Sequence, residues 1–246
     1  SAPADGNYIF QGSPNEVILA PLANAAVKFN AEDFELVQLI GYAPMVIVAR
    51  KDLPANSMDE LITLARNSKE KPISYGSVGI GSMYHILGEH LGQVIDAKMT
   101  HVPYKGGAPL LQDLAGGQLD FTIFPHFAGI DGLVAQGRIK ILGVIASKRF
   151  DHMKDVPTVN EGKLLKNFVY SIWTGYMVKK GTPLAIKEKI KDAVQKSMQD
   201  QDVVSKIAGQ NQLLAKPMTL KESQIFYTEE IAQYRKLAKS IGLEKQ

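Results

Sequence analysis

A glycine-rich turn followed by a helix pattern is the clearest candidate binding feature of the sequence. It reads "YGSVGIGSMYH" from Tyr75 to His85. Main-chain N–H groups in the first turn of a helix lack partners and favour an anion, and Gly79 and Gly81 allow close approach of a ligand. Ser77 and Ser82 add hydroxyl donors. The order G-x-x-G-x-G is neither the dinucleotide fingerprint nor a Walker loop. The turn therefore predicts a carboxylate site, with a plain strand-to-helix connection as the alternative.

A second stretch repeats this arrangement. It is "HVPYKGGAPLLQDLAGGQLDF", in which Gly106, Gly107 and Ala108 precede a helix pattern. A second set of free N–H groups is therefore expected near the first set. Lys105 either attracts an anion or is a solvated lysine.

Other side chains that carry chemistry give weaker patterns. His85 and His90 are five residues apart, and no H-E-x-x-H, cysteine or G-x-S-x-G motif is present. We therefore predict no metal, no cofactor and no enzymatic activity. His126, which follows Pro125 at a strand end, either contacts a ligand or is structural. Trp173 either packs where the chain crosses between lobes or touches the ligand, and Glu229 and Glu230 are expected on a solvated helix face.

The composition excludes several classes of protein. The 28 basic and 25 acidic residues are spread along 246 positions, so no basic footprint indicates nucleic acid. The absence of cysteine excludes disulfides but does not fix the compartment. No apolar run is long enough to span a bilayer, and "SAPADGNYIF" lacks the features of a signal peptide. We expect a soluble chain whose export signal was removed or never present.

Strand and helix patterns alternate through the middle of the chain. Strands are predicted at "PISYGS", "MTHVPY", "LDFTIF" and "IKILGVIAS", with helices between them, which favours an α/β lobe with a largely parallel sheet. Capping boxes are predicted at Ser57 with Glu60 and at Thr219 with Glu222. "FELVQLIGYAPMVIVAR" is expected as one or two strands broken near Gly41 and Pro44. Thr182 and Pro183 are expected to cap and begin a helix.

The order of these patterns predicts two lobes. Residues 1–53 and 175–246 form the first, discontinuous lobe, and residues 54–174 form the second. Two chain crossings without a flexible linker would form a hinge.

Several motifs together resemble one family. "YGSVGIGS", "HVPYKGGAP", "DLAGGQLDF", "DVPTVNEG" and "KKGTP" occur in order, and the likeness runs from "PADGNYIFQGS" to "KSIGLEK". The chain is similar to the solute-binding proteins of tripartite tricarboxylate transporters, the Bug-type receptors.

The resemblance implies both a fold and a role. The fold would be a two-lobe α/β periplasmic binding protein, type II-like, and the receptor would close on a small carboxylated solute in an inter-lobe cleft and deliver it to membrane permease subunits. The loop from Ser77 to Ser82 would hold one carboxylate. Ser13, Asn15 and Glu16 would line the cleft from the other lobe.

The sequence departs from the family in two ways. By comparison with the family it is expected to start after the family's first strand and helix, either because the sequence is a shortened piece or because the segment is lost, so part of the expected carboxylate clamp is not in this sequence. Phe124, Pro125 and His126 stand where the family tends to carry an acidic or amide residue, and Glu16 stands where small hydroxyl residues are common. Because Glu16 would repel a diacid but pair with an amine, an amino-acid-like solute stays possible. A ligand-sensing module for a signalling partner, and an enzyme on the same fold, are the alternatives.

Overall fold

The computed structural model describes residues 2–245 and divides the chain into two compact units. The terminal unit combines the chain up to Ala43 with the chain from Ile172 onward, and the central unit is Pro44–Ser171. The first boundary lies earlier than the sequence predicts. The reason is that one strand, β2 (Phe34–Arg50), continues without interruption from the terminal unit into the central unit.

The prediction of a break in β2 near Gly41 and Pro44 is wrong. Gly41 pairs with Leu214 in an antiparallel register, and a Cβ atom at Gly41 would lie 2.7 Å from the carbonyl oxygen of Leu213. The glycine is therefore needed for close strand pairing. The carbonyl oxygen of Pro44 accepts the N–H of His126 over 2.7 Å, so the proline still takes part in strand hydrogen bonding.

The central unit contains a five-stranded mixed sheet. Its strands are the second half of β2, β3 (Ser74–Ser77), β4 (Thr100–Pro103), β5 (Phe121–Pro125) and β6 (Ile139–Val144). β3 pairs in parallel with β4 and with β5, whereas β2 runs antiparallel between β5 and β6. The predicted parallel arrangement therefore holds for β3, β4 and β5, and β2 is the exception.

Each of the three parallel strands is followed by a helix. These are α3 (Met83–Val94), α4 (Gly107–Ala115) and α5 (Ala128–Ala135), and α2 (Met58–Asn67) precedes β3. The α3 helix buries Met83, Ile86, Leu87 and Leu91, at the spacings of three and four that a helix on a sheet requires. Because β3, β4 and β5 are parallel, α3, α4 and α5 all begin at the carboxyl edge of the sheet.

The α2 helix is capped almost as predicted. The Ser57 hydroxyl accepts the N–H of Glu60 over 3.2 Å. The Glu60 carboxylate accepts from the N–H of Asn56, one residue before the cap, over 2.7 Å. Both groups therefore satisfy free donors at the start of the helix.

The terminal unit packs helices against a second group of paired strands. β1 (Phe10–Gly12) pairs with β7 (Ser171–Lys179), β7 neighbours β2, and β8 (Leu213–Leu214) pairs with β2. A π-helical turn (Asn15–Leu19) runs into α1 (Ala20–Ala23). The remaining helices are α6 (Leu184–Ser197), α7 (Gln201–Gly209) and α8 (Leu220–Ser240). Single 3₁₀ turns lie at Ala31–Asp33 in this unit and at Asp151–Met153 in the central unit.

Two predictions about helix starts in the terminal unit have different outcomes. The capping box of α8 is confirmed, because the Thr219 hydroxyl accepts the N–H of Glu222 and the Glu222 carboxylate accepts from the N–H of Thr219. The prediction that Thr182 caps α6 is wrong. Its hydroxyl instead donates to the carbonyl of Lys179 over 2.8 Å, so it closes the turn before the helix.

No helix within residues 2–245 is both long enough and apolar enough to cross a membrane.

Candidate functional site

The turn after β3 is held together by its own hydrogen bonds. The Ser77 hydroxyl is buried and accepts from the N–H of Gly79, over 3.2 Å. The N–H of Gly81 donates to Nδ1 of His85, over 3.1 Å, and the N–H of Ser82 donates to the carbonyl of Gly79, over 3.2 Å. The sequence-predicted donors Gly79, Gly81 and Ser82 therefore already have acceptors within the turn.

Ser82 is the N-cap of α3. Its hydroxyl accepts the N–H of His85 over 3.4 Å and donates to the carbonyl of Gly79 over 2.7 Å. Gly79 has a φ of 131°, and nothing lies within 4 Å of where its Cβ atom would be. The backbone of the turn is therefore locally fixed but faces open space at Gly79.

Two stacked histidines pack against the turn after β3. The rings of His85 and His101 are 4.2 Å apart, and Nε2 of His101 lies 2.7 Å from the Ser77 hydroxyl. Tyr75 stacks on His101 and donates its hydroxyl to Glu89 over 2.5 Å. Burial, and then the neighbouring His85, lower the pKa of His101 to about 4, and burial lowers the pKa of His85. Both rings are therefore neutral near pH 7, and Nδ1 of His85 accepts from Gly81.

The turn after β4 leaves its donors available. The N-cap of α4 is Gly106, which has no side chain to cap the helix and a φ of 146° with nothing within 4 Å of a Cβ position. Within residues 2–245, the N–H groups of Gly106, Gly107 and Ala108 meet no acceptor. Three donors at the positive end of a nine-residue helix form a setting that favours an anion.

The start of α5 is also open. Phe127 is the N-cap and gives no side-chain hydrogen bond. In the described part of the chain the N–H groups of Ala128 and Gly129 have no acceptor, and the first donor with a partner is Ile130, which bonds to the carbonyl of Phe127 over 2.9 Å. This start was not predicted as a site. The signals were an aromatic residue where a polar cap is usual and a glycine at position 129.

The Phe124 ring, at the end of β5, contacts the starts of all three helices. It lies 5.1 Å from the ring of Tyr84 in α3 and 6.2 Å from the ring of Phe127 before α5, measured between centroids. A Cβ atom on Gly107 in α4 would lie 2.8 Å from its Cζ atom. The starts of α4 and α5, which carry the open donors, therefore both adjoin the Phe124 ring.

His126 lies directly before this start of α5. It is 2% exposed, and its Nε2 is 2.7 Å from Oδ1 of Asp131, while its Nδ1 is buried without a hydrogen-bond partner. Its ring also stacks on His152 at 5.7 Å. These contacts tie His126 to the first turn of α5.

Ser13, Asn15 and Glu16 lie in the terminal unit, where they begin a helix. The Glu16 carboxylate accepts from both the N–H and the hydroxyl of Ser13, over 2.9 and 2.5 Å, and the Ser13 hydroxyl accepts the N–H of Asn15 over 3.3 Å. The sequence "SPNE" carries the S-x-x-E signature of a capping box, but only one half of the box is present, because Glu16 accepts from the N–H of Ser13 while the Ser13 hydroxyl accepts from Asn15 instead of Glu16. The Glu16 charge is therefore partly used in starting the helix.

Trp173 lies in the core of the terminal unit. It is 1% exposed, and its Nε1 donates to the Glu230 carboxylate over 2.7 Å. Phe226 and Tyr227 pack edge-on against it. The prediction that Glu230 lies on a solvated helix face is wrong. Its carboxylate accepts the indole N–H of Trp173, and burial raises the pKa of Glu230.

Acidic and imidazole side chains do not form a metal site in the part of the chain that the structure describes. No three His, Asp or Glu residues between 2 and 245 lie together as ligands would.

The α/β structure of this chain is similar to that of solved periplasmic binding proteins. An R. palustris protein solved with adipate has a TM-score of 0.85 and 26% identity, and the alignment covers 100% of this chain and 81% of that one. The periplasmic binding protein BugD has a TM-score of 0.83 and 27% identity, again over 100% of this chain and 81% of that one. The predicted fold class is confirmed.

The chain belongs to the family described as tripartite tricarboxylate transporter family receptor, whose model matches residues 1–243. A protein encoded in the ttuE-ttuC' intergenic region of Agrobacterium vitis is 33% identical over 72% of this chain and 51% of its own length. Protein BugT of Bordetella pertussis is 27% identical over 86% of this chain and 64% of its own length. The resemblance to Bug-type receptors is confirmed, and the family is one of receptors rather than enzymes.

The chain spans between about half and two thirds of the length of these two curated relatives.

Proposed function

We propose that the central unit captures a small carboxylate-bearing solute on the open helix starts of α4 and α5. The observation that carries the proposal is the set of N–H groups of Gly106, Gly107, Ala108, Ala128 and Gly129, which have no acceptor in the described chain and lie at one sheet edge. A carboxylate there would exchange hydrating water for fixed main-chain donors. Hydrogen bonds to an ionised group are about twice as strong as neutral ones.

The turn after β3 has a supporting role in this proposal. Because Gly79, Gly81 and Ser82 are bonded within the turn, Ser77 and Ser82 act by holding its shape, and the open face at Gly79 leaves space for the solute. The relative solved with adipate supports carboxylates as the ligand class. Trp173 is left out of the proposed site because its indole N–H is bonded within the core. Ser13, Asn15 and Glu16 are assigned to the helix start that they build.

We further infer a periplasmic receptor that delivers the solute to a membrane transporter of the tripartite tricarboxylate type. The family description and the periplasmic relative BugD support this role. Cross-linking of the purified protein to membranes that contain the permease subunits tests it. Cross-links between the protein and a permease subunit are expected to increase when the carboxylate solute is bound. Equal cross-linking of the protein to membranes that lack the permease would contradict the role.

Calorimetry tests the binding proposal. The protein is titrated with adipate, phenylacetate, benzoate and citrate, and each acid that binds is compared with its uncharged amide. We expect at least one acid to bind and its amide to lose about 100-fold or more in affinity, since the amide is uncharged and has one accepting oxygen instead of two. Binding of none of the four acids, or equal binding of an acid and its amide, would overturn the proposal. Native mass spectrometry of freshly purified protein supplies an independent check for a co-purified acid.

A further inference from the structure

We propose that the solute is a monocarboxylic acid with an apolar body about the size of a phenyl ring, and that Phe127 determines this specificity. The inference rests on the proposed function, since it assumes that the acid group binds at the starts of α4 and α5. It adds the chemistry of the rest of the molecule. The apolar body would pack on the aromatic cluster formed by Tyr84, Phe124 and Phe127.

The aromatic cluster adjoins the proposed carboxylate donors. Phe127 is the residue immediately before the open N–H groups of Ala128 and Gly129, and the Phe124 ring lies against Gly107. A carboxylate on these donors therefore brings the next atoms of the solute beside the rings. We therefore take an acid joined to its ring by one or two bonds as the solute type to test.

The outer part of the cluster is exposed. Phe127 is 37% exposed, whereas Tyr84 and Phe124 behind it are 7% and 8% exposed. Ile80, at the tip of the turn after β3, is 47% exposed and lies at the same sheet edge. Covering apolar surface of this kind is favourable by about 25 cal/mol for each Å² removed from water, and an aromatic partner gains further from offset or edge-on packing.

The charges of the three connecting turns favour one carboxylate over several. The turns at residues 78–82, 104–106 and 126–127 contain a single lysine, Lys105, and no arginine. Asp131 in the first turn of α5 adds a negative group whose side chain is 54% exposed. Beyond Lys105 these turns offer no cation to further carboxylates on the solute, and Asp131 would repel them.

The packing of the aromatic cluster makes it suitable for discriminating between solutes. Phe124 is 8% exposed and packs against Tyr84, Phe127 and Gly107, so it supports Phe127 from the buried side. His126, which is nearly buried and bonded to Asp131, fixes the chain just before Phe127. A ring that is already ordered loses little conformational entropy on binding a partner.

The experiment compares phenylacetate with citrate and adipate by calorimetry on the wild-type chain and on three variants. Phe127→Ala removes the exposed ring, Phe127→Tyr keeps it, and Leu164→Ala is the control, since Leu164 is a 39% exposed apolar residue elsewhere in the central unit. We expect phenylacetate to bind at least about tenfold more tightly than citrate. Phe127→Ala should weaken phenylacetate binding by about tenfold, while Phe127→Tyr and Leu164→Ala change it by less than about threefold.

Each outcome decides between the two proposals. Tighter binding of citrate than phenylacetate overturns the inference, as does unchanged phenylacetate affinity in a Phe127→Ala variant with wild-type circular dichroism and melting temperature. Binding of adipate without phenylacetate also overturns it but leaves the proposed function standing. Binding of none of the acids overturns both.

Discussion

The main-chain N–H of Tyr104 donates to the carbonyl oxygen of Ser77 over 2.8 Å, so the turn after β4 is fixed to the turn after β3. This bond continues the parallel pairing of β3 with β4, whose register ends at Ser77 opposite Pro103. The two turns are therefore linked to each other at one edge of the sheet. The first turn is internally bonded and the second leaves its donors open, so a single edge supplies both the support and the proposed binding groups.

Gly107→Ala should weaken acid binding. The added Cβ atom would lie 2.8 Å from Cζ of Phe124, so the first turn of α4 or the ring must shift. We expect about a tenfold loss of affinity by calorimetry, because hydrogen bonds to the carboxylate depend strongly on geometry. Gly132→Ala in α5 is the matched control, since nothing lies within 4 Å of its Cβ position. Equal affinities for the two variants would show that the start of α4 does not hold the acid.

Gly88→Ala should destabilise the central unit. A Cβ atom on Gly88 would lie 2.0 Å from Cε2 of Tyr75, which is fully buried and bonded to Glu89. Overpacking of this kind costs about 1–3 kcal/mol of unfolding free energy. Chemical denaturation measures the loss. In a double-mutant cycle with Tyr75→Leu, the combined cost should be less than the sum of the single costs, and strict additivity would refute the contact.

Glu230→Gln should stabilise the protein near neutral pH. Burial raises the pKa of Glu230, so the folded state disfavours its ionised form and loses stability as the pH rises through that higher pKa. Glutamine keeps an acceptor for the indole N–H of Trp173 without the charge. Denaturation at pH 7.5 should therefore show a larger unfolding free energy for the variant, with the advantage shrinking toward pH 4.5. A less stable variant at pH 7.5 would contradict the assignment.

His101→Gln should reduce the sensitivity of folding to acid. The pKa of His101 is about 4 in the folded protein and about 6.5 in the unfolded chain. Between these values the unfolded state binds more protons, so the unfolding free energy falls as the pH is lowered from about 6.5 to about 4. The variant lacks this contribution and should show a shallower fall, with the remainder due to other groups whose pKa changes on folding, among them His85, His90 and His152. A slope equal to that of the wild-type chain would rule out a buried neutral His101.

The strands and helices of the central unit could be predicted from the sequence because their apolar periodicity and capping residues lie within each element. The strands β3, β4 and β5 alternate with helices that carry apolar residues at spacings of three and four, and the start of α3 was marked by Ser82. The continuity of β2 was missed because Gly41 and Pro44 usually interrupt a strand. Here the carbonyl of Leu213, which is remote in sequence, makes a glycine necessary.

The site was harder to predict because the availability of a donor depends on three-dimensional contacts. Gly79 and Gly81 have the composition of a ligand loop, yet the Ser77 hydroxyl and the His85 ring accept their N–H groups. Ser13 and Glu16 carry a capping signature in the sequence, but they were predicted to contact the ligand. In the structure their side chains bond to each other at the start of a helix. The contact between Trp173 and Glu230 joins residues 57 positions apart, which no local pattern reveals.

The most direct test of the central claim is ¹H–¹⁵N NMR of the full chain during titration with whichever of phenylacetate, benzoate, adipate and citrate binds most tightly. A carboxylate on the open helix starts should move the amide proton signals of Gly106, Gly107, Ala108, Ala128 and Gly129 downfield more than those of Gly79 and Gly81, whose acceptors are already in place. Large shifts at Gly79 and Gly81 with unchanged signals from residues 106–108 and 128–129 would contradict the account.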